Sequence, residues 1–247
     1  MARSFNGTSD DIFTSKLASS TNANITVSAW VNPSSATSQR PVFCNGGVNT
    51  NNGFGVYSCR SADASSHFSV FPFGSAVVDS GVSISTSVWS HIAVTTDGSN
   101  NWSFYINGIF QSTVNRVSVA PTDTQCGIGG NGFSEFYAGL SADVAMWSVA
   151  LSALEIKALA NGARAYTIRR SALLSYWPLG GLQSPEPDLS GKANNGILTG
   201  TNPAFGPPLM QFTPTQALAP SAPPAAAIIA VNMITSHIEP RIKAIGY

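Results

Sequence analysis

The stretch from Val88 to Phe110, VWSHIAVTTDGSNNWSFYINGIF, alternates apolar and polar residues on both sides of a short polar turn. On its first limb Val88, Ile92 and Val94 share one face, and Trp89, His91 and Thr95 share the other. On its second limb Trp102, Phe104 and Ile106 alternate with Ser103, Tyr105 and Asn107. Period two places successive side chains on opposite faces of a strand, and an Asp-Gly turn favours the chain reversal. The stretch therefore predicts a β-hairpin with one face turned to a core, and a chain built on such units must bury that face against a second layer.

The same alternation recurs. In Asn24 to Val31 (NITVSAWV), Ile25, Val27, Ala29 and Val31 face one way and Thr26, Ser28 and Trp30 the other, with Pro33 ending the run. Pro41 to Cys44 and Gly53 to Ser58 read as a strand pair across a Gly/Asn-rich loop. His67 to Phe73 is an aromatic strand whose Pro72 marks an edge or an end. Further strands are expected near Gln125 to Gly129, over Ala138 to Trp147, within Leu173 to Leu179, and at Ile197 to Thr199 after the turn-rich Asp188 to Gly196. One short helix interrupts them. Ser152 and Glu155 have capping-box spacing, Leu151 and Ile156 occupy the staple positions, and Asn161-Gly162 supplies the stop.

After Pro203 the texture changes. Seven prolines fall between Pro203 and Pro224, so the segment cannot pair as a central strand. Residues 225–238 have helical propensity and an apolar side containing Ile228, Ile229, Val231 and Ile234 that needs a partner. The organisation read from this is a sandwich over 1–209 and a Pro-rich linker with an apolar C-terminal arm over 210–247.

Composition removes several function classes. Charged residues make up 10% of the 247, against about a quarter in an ordinary domain. Ser, Thr, Asn and Gly take their place, a surface suited to close packing on other proteins. The 12 basic and 12 acidic residues cancel, and beyond Arg169-Arg170 no basic cluster exists to track a phosphate backbone, which excludes nucleic acid. No apolar run approaches the roughly 20 residues of a membrane span. The opening MARSFNGTSDD has no apolar segment and reads as lacking a secretory signal, which sets an expectation of synthesis in a host cytoplasm. Three cysteines, Cys44, Cys59 and Cys126, are an odd number; Cys44 and Cys59 either pair across neighbouring strands or remain buried thiols.

Five segments in order, F-N-G near the start, ITVSAWV, WSHIAV, FYINGI and GLSADVAMWSVALSALEIKAL, resemble the concanavalin A-like lectin/glucanase superfamily of the laminin-G/pentraxin type, from Phe5 to about Leu209. The resemblance implies an all-β jelly-roll sandwich of two antiparallel sheets, one of them concave, with one short helix, here followed by the extended Pro-rich arm. One unit is out of place. SYWPL…DLSGKANNG resembles the piece that opens the domain in many relatives, yet here it follows the helix, as if the strand order were permuted and the same sheet completed.

Glycoside hydrolases of this fold need two carboxylates on one strand, spaced E-x-D-x-x-E. Here Glu135, Glu155, Glu186 and Glu239 stand apart, and no HxxH, CxxC or G-x-S-x-G appears, so the chain is read as no enzyme. His67, His91 and His237 are scattered, with His91 expected near Trp89. Relatives often hold Ca²⁺ at a rim; Asp10, Asp11 and Asp143 are the oxygen donors available, and otherwise no cofactor is expected. For sugar binding the candidates are Trp102, Phe133, Phe136 and Tyr137 with Asn100, Asn101 and Asn131 beside them.

The reading these features favour is a structural virion protein of a bacteriophage: a capsid decoration or tail-associated subunit. It would dock on capsid or tail proteins and on copies of itself through its arm and a sandwich edge, as a homo-oligomer at the virion surface. The alternative is a lectin-like module for host or glycan attachment, with an extracellular location.

Overall fold

In the computed structural model the described residues are 1–15, 17, 24–37, 39–47, 52–60, 66–117, 125–132, 134–181 and 183–208. The arm residues Ile228, Ile229, Val231 and Ile234, and Phe133, lie outside them. Among the described residues fifteen strands form two antiparallel sheets: β1 (Ala2–Asn6), β2 (Asp11–Ser15), β3 (Ile25–Pro33), β4 (Arg40–Gly47), β5 (Asn52–Cys59), β6 (Ser69–Pro72), β7 (Val78–Asp79), β8 (Ser90–Thr96), β9 (Asn101–Ile106), β10 (Ile109–Asn115), β11 (Gln125–Ile128), β12 (Ala138–Trp147), β13 (Leu173–Trp177), β14 (Ile197–Thr199) and β15 (Asn202–Ala204). Sheet A has the order β10-β9-β8-β3-β12-β1-β15, with β13 also beside β12. Sheet B has the order β14-β2-β11-β4-β5-β6-β7. No helix among the described residues is long and apolar enough to cross a membrane.

The alternation read from the sequence is realised row by row. Val27, Val94 and Phe104 stand abreast on β3, β8 and β9, as do Ala29, Ile92 and Ile106. These faces meet Phe43, Phe54, Val56, Phe68 and Val70 of the other sheet in one core. Its aromatic rings interlock: Phe68 meets Phe104 edge-on at 5.1 Å between centroids, and Trp102 lies 5.6 Å from Phe54. Two details differ from the sequence reading. Val88 is exposed and precedes the strand, because Ser87 takes a left-handed turn (φ 59°) just before it. The hairpin is also a three-stranded meander: Asn107 and Gly108, both at positive φ (52° and 74°), make a two-residue turn into β10.

A second, smaller core covers the outer face of sheet A. The helix α1 (Ala153–Ala160) has its capping box formed by Ser152 and Glu155. It presses Ile156 and Leu159 on Ala93, Tyr105, Ala145 and Trp147. Here His91 packs edge-on against Trp30 at 5.5 Å, not against Trp89. It is 2% exposed, and its Nδ1 is buried with no hydrogen-bond partner among the described residues.

The late unit completes both sheets. β1 pairs with Ala138–Ser141 of β12, while β13 pairs with Val144–Trp147 along the same edge. The loop that follows β13 is organised by Asp188, whose carboxylate accepts from the backbone N–H groups of Tyr176, Ser190 and Asn194 and from the Ser190 hydroxyl. Arg3 and Glu186, both buried, pair at 2.6 Å and pin β1 to this loop. All three cysteines are free and buried, so Cys44 and Cys59 do not pair. By register Cys44 faces Gly55, while Cys59 faces Arg40.

Burial pushes the His91 pKa from 6.5 down to about 3. Between those values the unfolded chain binds a proton that the folded chain refuses. Its contribution to stability is therefore whole above pH 6.5 and is lost as pH falls through the window. The stability of the protein should fall more steeply between pH 6 and 4 than that of His91→Gln, by up to about 1.4 kcal/mol per pH unit. Urea midpoints at stepped pH read this directly; equal slopes would contradict it.

Candidate ligand site at the end of sheet B

The outer face of sheet B is built from glycines with aromatic rings laid over them. By register one row runs Phe13, Gly127, Cys44, Gly55 and Phe71 across β2, β11, β4, β5 and β6. A Cβ on Gly55 would stand 2.5 Å from the Tyr57 ring and 3.0 Å from Cys44 Sγ. A Cβ on Gly127 would stand 2.8 Å from the Phe13 ring. Burial pushes the Cys44 and Cys126 thiols and the Tyr57 phenol upward, so all three are neutral at neutral pH and the thiols are poor nucleophiles.

The loop between β11 and β12 folds over the end of this face. Asn131 holds it, its Oδ1 accepting from the backbone N–H groups of Ser134 and Glu135, both at 3.2 Å. Glu135 is thereby set among three donors. Arg60 Nη1 meets Oε1 at 2.7 Å, while the Tyr57 hydroxyl and Asn131 Nδ2 donate to Oε2 at 2.7 and 2.8 Å. The Arg60 guanidinium lies over the rings of Phe71 (3.9 Å) and Tyr57 (4.7 Å) and also donates to the Gln39 side chain. Beside this cluster opens a cleft of about 550 Å³ lined by Gly7, Gln39, Arg40, Ser134, Glu135 and Phe136. Arg40 frames it by donating to backbone carbonyls: Nε to Thr37 at 3.2 Å, and Nη1 to Gly7 at 3.2 Å and Phe136 at 2.9 Å.

The residues expected from the sequence fare unequally. Trp102 and Tyr137 are fully buried, which corrects their assignment to a sugar-stacking surface. Trp102 sits on the core parity of β9 and donates its indole N–H to Arg116 O at 3.1 Å. Tyr137 packs on Phe5 at 5.9 Å and donates to Leu140 O. Asn101 is spent in the β8–β9 turn, donating to Asp97 and accepting from Asn115. Asn100 occupies that same turn at φ 62°. Asn131 is buried and serves the site as the organiser of its loop. Among the described aromatics of that set, Phe136 lines the cleft.

The three aspartates do not converge as a cation site. Asp10 accepts from Asn6 N, burial raises the pKa of Asp11, and Asp143 is paired with Arg164 at 3.0 Å while accepting from the Tyr176 hydroxyl. No group of three His, Cys, Asp or Glu side chains able to hold a metal ion occurs among the described residues. The described glutamates each have a structural partner: Glu135 with Arg60, Glu186 with Arg3, and Glu155 with Ser152 and Arg169.

The sequence profile of the Laminin_G_3 family, in the concanavalin A-like lectin/glucanases superfamily, matches residues 6–157, more than half of the chain. The chain belongs to this family. Among solved structures it resembles a putative carbohydrate binding protein from Bacteroides ovatus (TM-score 0.62, 18% identity, 84% of this chain and 61% of that one). It also resembles domain 4 of the extracellular GH43 arabinanase AbnA from Geobacillus stearothermophilus, solved in complex with arabinotriose (0.54, 23%, 64% and 76%). A third is the heptameric SAP-like pentraxin from Limulus polyphemus (0.51, 16%, 64% and 81%). These likenesses establish the sandwich fold. A search of curated protein sequences finds no match to the chain.

The packed glycine face makes its own prediction. Gly55→Ala should destabilise the domain by about 1–3 kcal/mol by forcing the Tyr57 ring aside. Gly98→Ala, where a Cβ meets nothing within 4 Å, should change stability by less than about 0.5 kcal/mol. Denaturant midpoints of the two variants provide the comparison.

Proposed function

We propose that this laminin-G-like domain is a non-catalytic glycan-binding module whose ligand occupies the cleft at the end of sheet B. The cleft itself carries the reading. Its volume of about 550 Å³ lies in the range of small-molecule sites, roughly 300–1,000 Å³. Its walls offer Gln39, Arg40, Ser134 and Glu135 as polar contacts for hydroxyls, and Phe136 as an apolar surface for the C–H face of a sugar ring. Glu135 is pre-positioned by three donors, so little ordering is needed on binding. Arg60 balances its charge and the three donors occupy most of its acceptor sites, which argues against an acid/base role. Two of the similar structures, the carbohydrate binding protein and the arabinotriose complex, support the same reading. A glycan array followed by calorimetry is the test. Phe136→Ala should weaken the best ligand at least tenfold with an unchanged melting temperature; an array silent at every glycan class would end the proposal.

A second role, docking on copies of itself or on virion subunits such as capsid or tail proteins, is favoured by one edge of sheet A. The other strand edges are blunted. β15 contains Pro203, β7 has 2 residues, β14 has 3, and the outer edge of β13 is bonded by the Asp188 loop. β10 has 7 residues without charge or proline, exposes Ile109 and Phe110, and no described strand pairs with its outer side. Light scattering should show the full chain associating, and Phe110→Lys/Thr113→Lys should shift it to monomer. A chain ended at Gln216 tests the contribution of the arm; equal monomeric mass for all three would remove this role.

A further inference from the structure

The charges around the cleft do not balance. Glu135 is neutralised by Arg60, and both of its oxygens already accept from Arg60, Tyr57 and Asn131. Arg40, by contrast, makes all of its bonds to uncharged carbonyls, those of Thr37, Gly7 and Phe136. No described carboxylate lies within ion-pair reach of it, and its Nη2 donates to no described group. The other buried or half-buried arginines among the described residues differ: Arg3 is paired with Glu186 at 2.6 Å and Arg60 with Glu135 at 2.7 Å. Arg116 and Arg170, which also lack carboxylates, are exposed to water. Arg40 is thus a half-buried cation, fixed in direction by three carbonyls, lining a sugar-sized cleft with a pair of N–H donors unspent.

A guanidinium so placed favours one ligand chemistry. With Nε and Nη1 committed to carbonyls, Nη2 is free to donate to a carboxylate oxygen, and such a charge-assisted bond is roughly twice as strong as one to a neutral hydroxyl. We propose that the cleft selects sugars bearing a carboxylate, with Arg40 as the partner of that group and Phe136 beneath the ring. This inference rests on the glycan-binding reading of the same cleft. It adds to that reading the class of sugar and the residue that decides it.

The test compares matched pairs by calorimetry: a glucuronate-terminated oligosaccharide against its glucose counterpart, and sialyllactose against lactose. The variants are Arg40→Gln and Arg40→Lys, with melting curves recorded for each. At least one acidic member should bind the native protein at least tenfold more tightly than its neutral twin, and that advantage should shrink as salt rises from 50 to 500 mM. Arg40→Gln should erase the preference by bringing the acidic member down to the affinity of its neutral twin, and Arg40→Lys should restore part of it. A variant that weakens both members equally would show that Arg40 only holds the loop, and would overturn the inference. So would neutral sugars binding as well as acidic ones, an outcome that leaves the glycan reading intact. Absence of binding to any member, acidic or neutral, across the array would overturn both. Should Arg40→Gln fail to melt cooperatively, the salt dependence of the native protein and the Arg40→Lys titration decide.

Discussion

The fold depends on a single bulge in β12. Ala142 stands opposite Trp30 and Ala145 opposite Ser28, so two residues, Asp143 and Val144, oppose one on β3. The extra residue absorbs a step of the alternation, with Asp143 at φ 49°. Beyond the bulge Val144 and Met146 reach the core between the sheets, while Ala145 and Trp147 reach the smaller core under α1. The bulge also divides the strand's other edge into two sites, one taken by β1 and one by β13. The Asp143 carboxylate is held by Arg164 and by the Tyr176 hydroxyl, which ties the bulge to the chain after the helix and to β13. One irregular residue thus sets side-chain parity, places the late unit, and seats the helix.

No described helix packs on sheet B, and its outer face is finished differently. Glycines at 55 and 127 leave room for the rings of Tyr57 and Phe13 to lie flat against the backbone. The Tyr57 ring in turn supports the Arg60 guanidinium, and Arg60 and the Tyr57 hydroxyl fix Glu135. The cleft is the consequence: the loop carrying Glu135 and Phe136 is drawn onto the sheet by these bonds, and Arg40 bridges it to the β1–β2 turn through Gly7.

Local periodicity made the scaffold legible. Ile25 to Val31, Ile92 to Val94 and Trp102 to Ile106 all take the faces their spacing implies, and the capping box at Ser152 and Glu155 closes as read. β10 and β15 are hidden in the sequence for physical reasons. Ile109–Asn115 carries a bulge at Gln111 that breaks its alternation, and Asn202–Ala204 hides a strand under a proline permitted only at an edge. The site was harder still. Gln39, Arg40, Arg60 and Glu135 are brought together by pairing and loop closure across 96 positions, and none lies in a motif. Trp102, a candidate for sugar stacking, lies beside a polar turn yet belongs to the core. Its parity with Phe104, already visible in the sequence, placed it in the core. That parity was the stronger signal, because one face of a strand is buried whole.

In a chain with so few charges, where each one sits is informative. A half-buried ion costs free energy unless it is paired or richly hydrogen-bonded. Most charges here obey that rule visibly, as in Arg3 with Glu186 and Arg60 with Glu135. Arg40 meets it only in part, through three carbonyl dipoles that orient the guanidinium without cancelling its charge. Those bonds settle the end of the loop, but a neutral donor such as an asparagine or glutamine amide would settle carbonyls with less desolvation. Under the proposal above, a full positive charge at that position gains most over a neutral donor when an anion binds. The packing around the cleft therefore accounts for its shape, and the unpaired charge of Arg40 is the ground for the anionic ligand proposed.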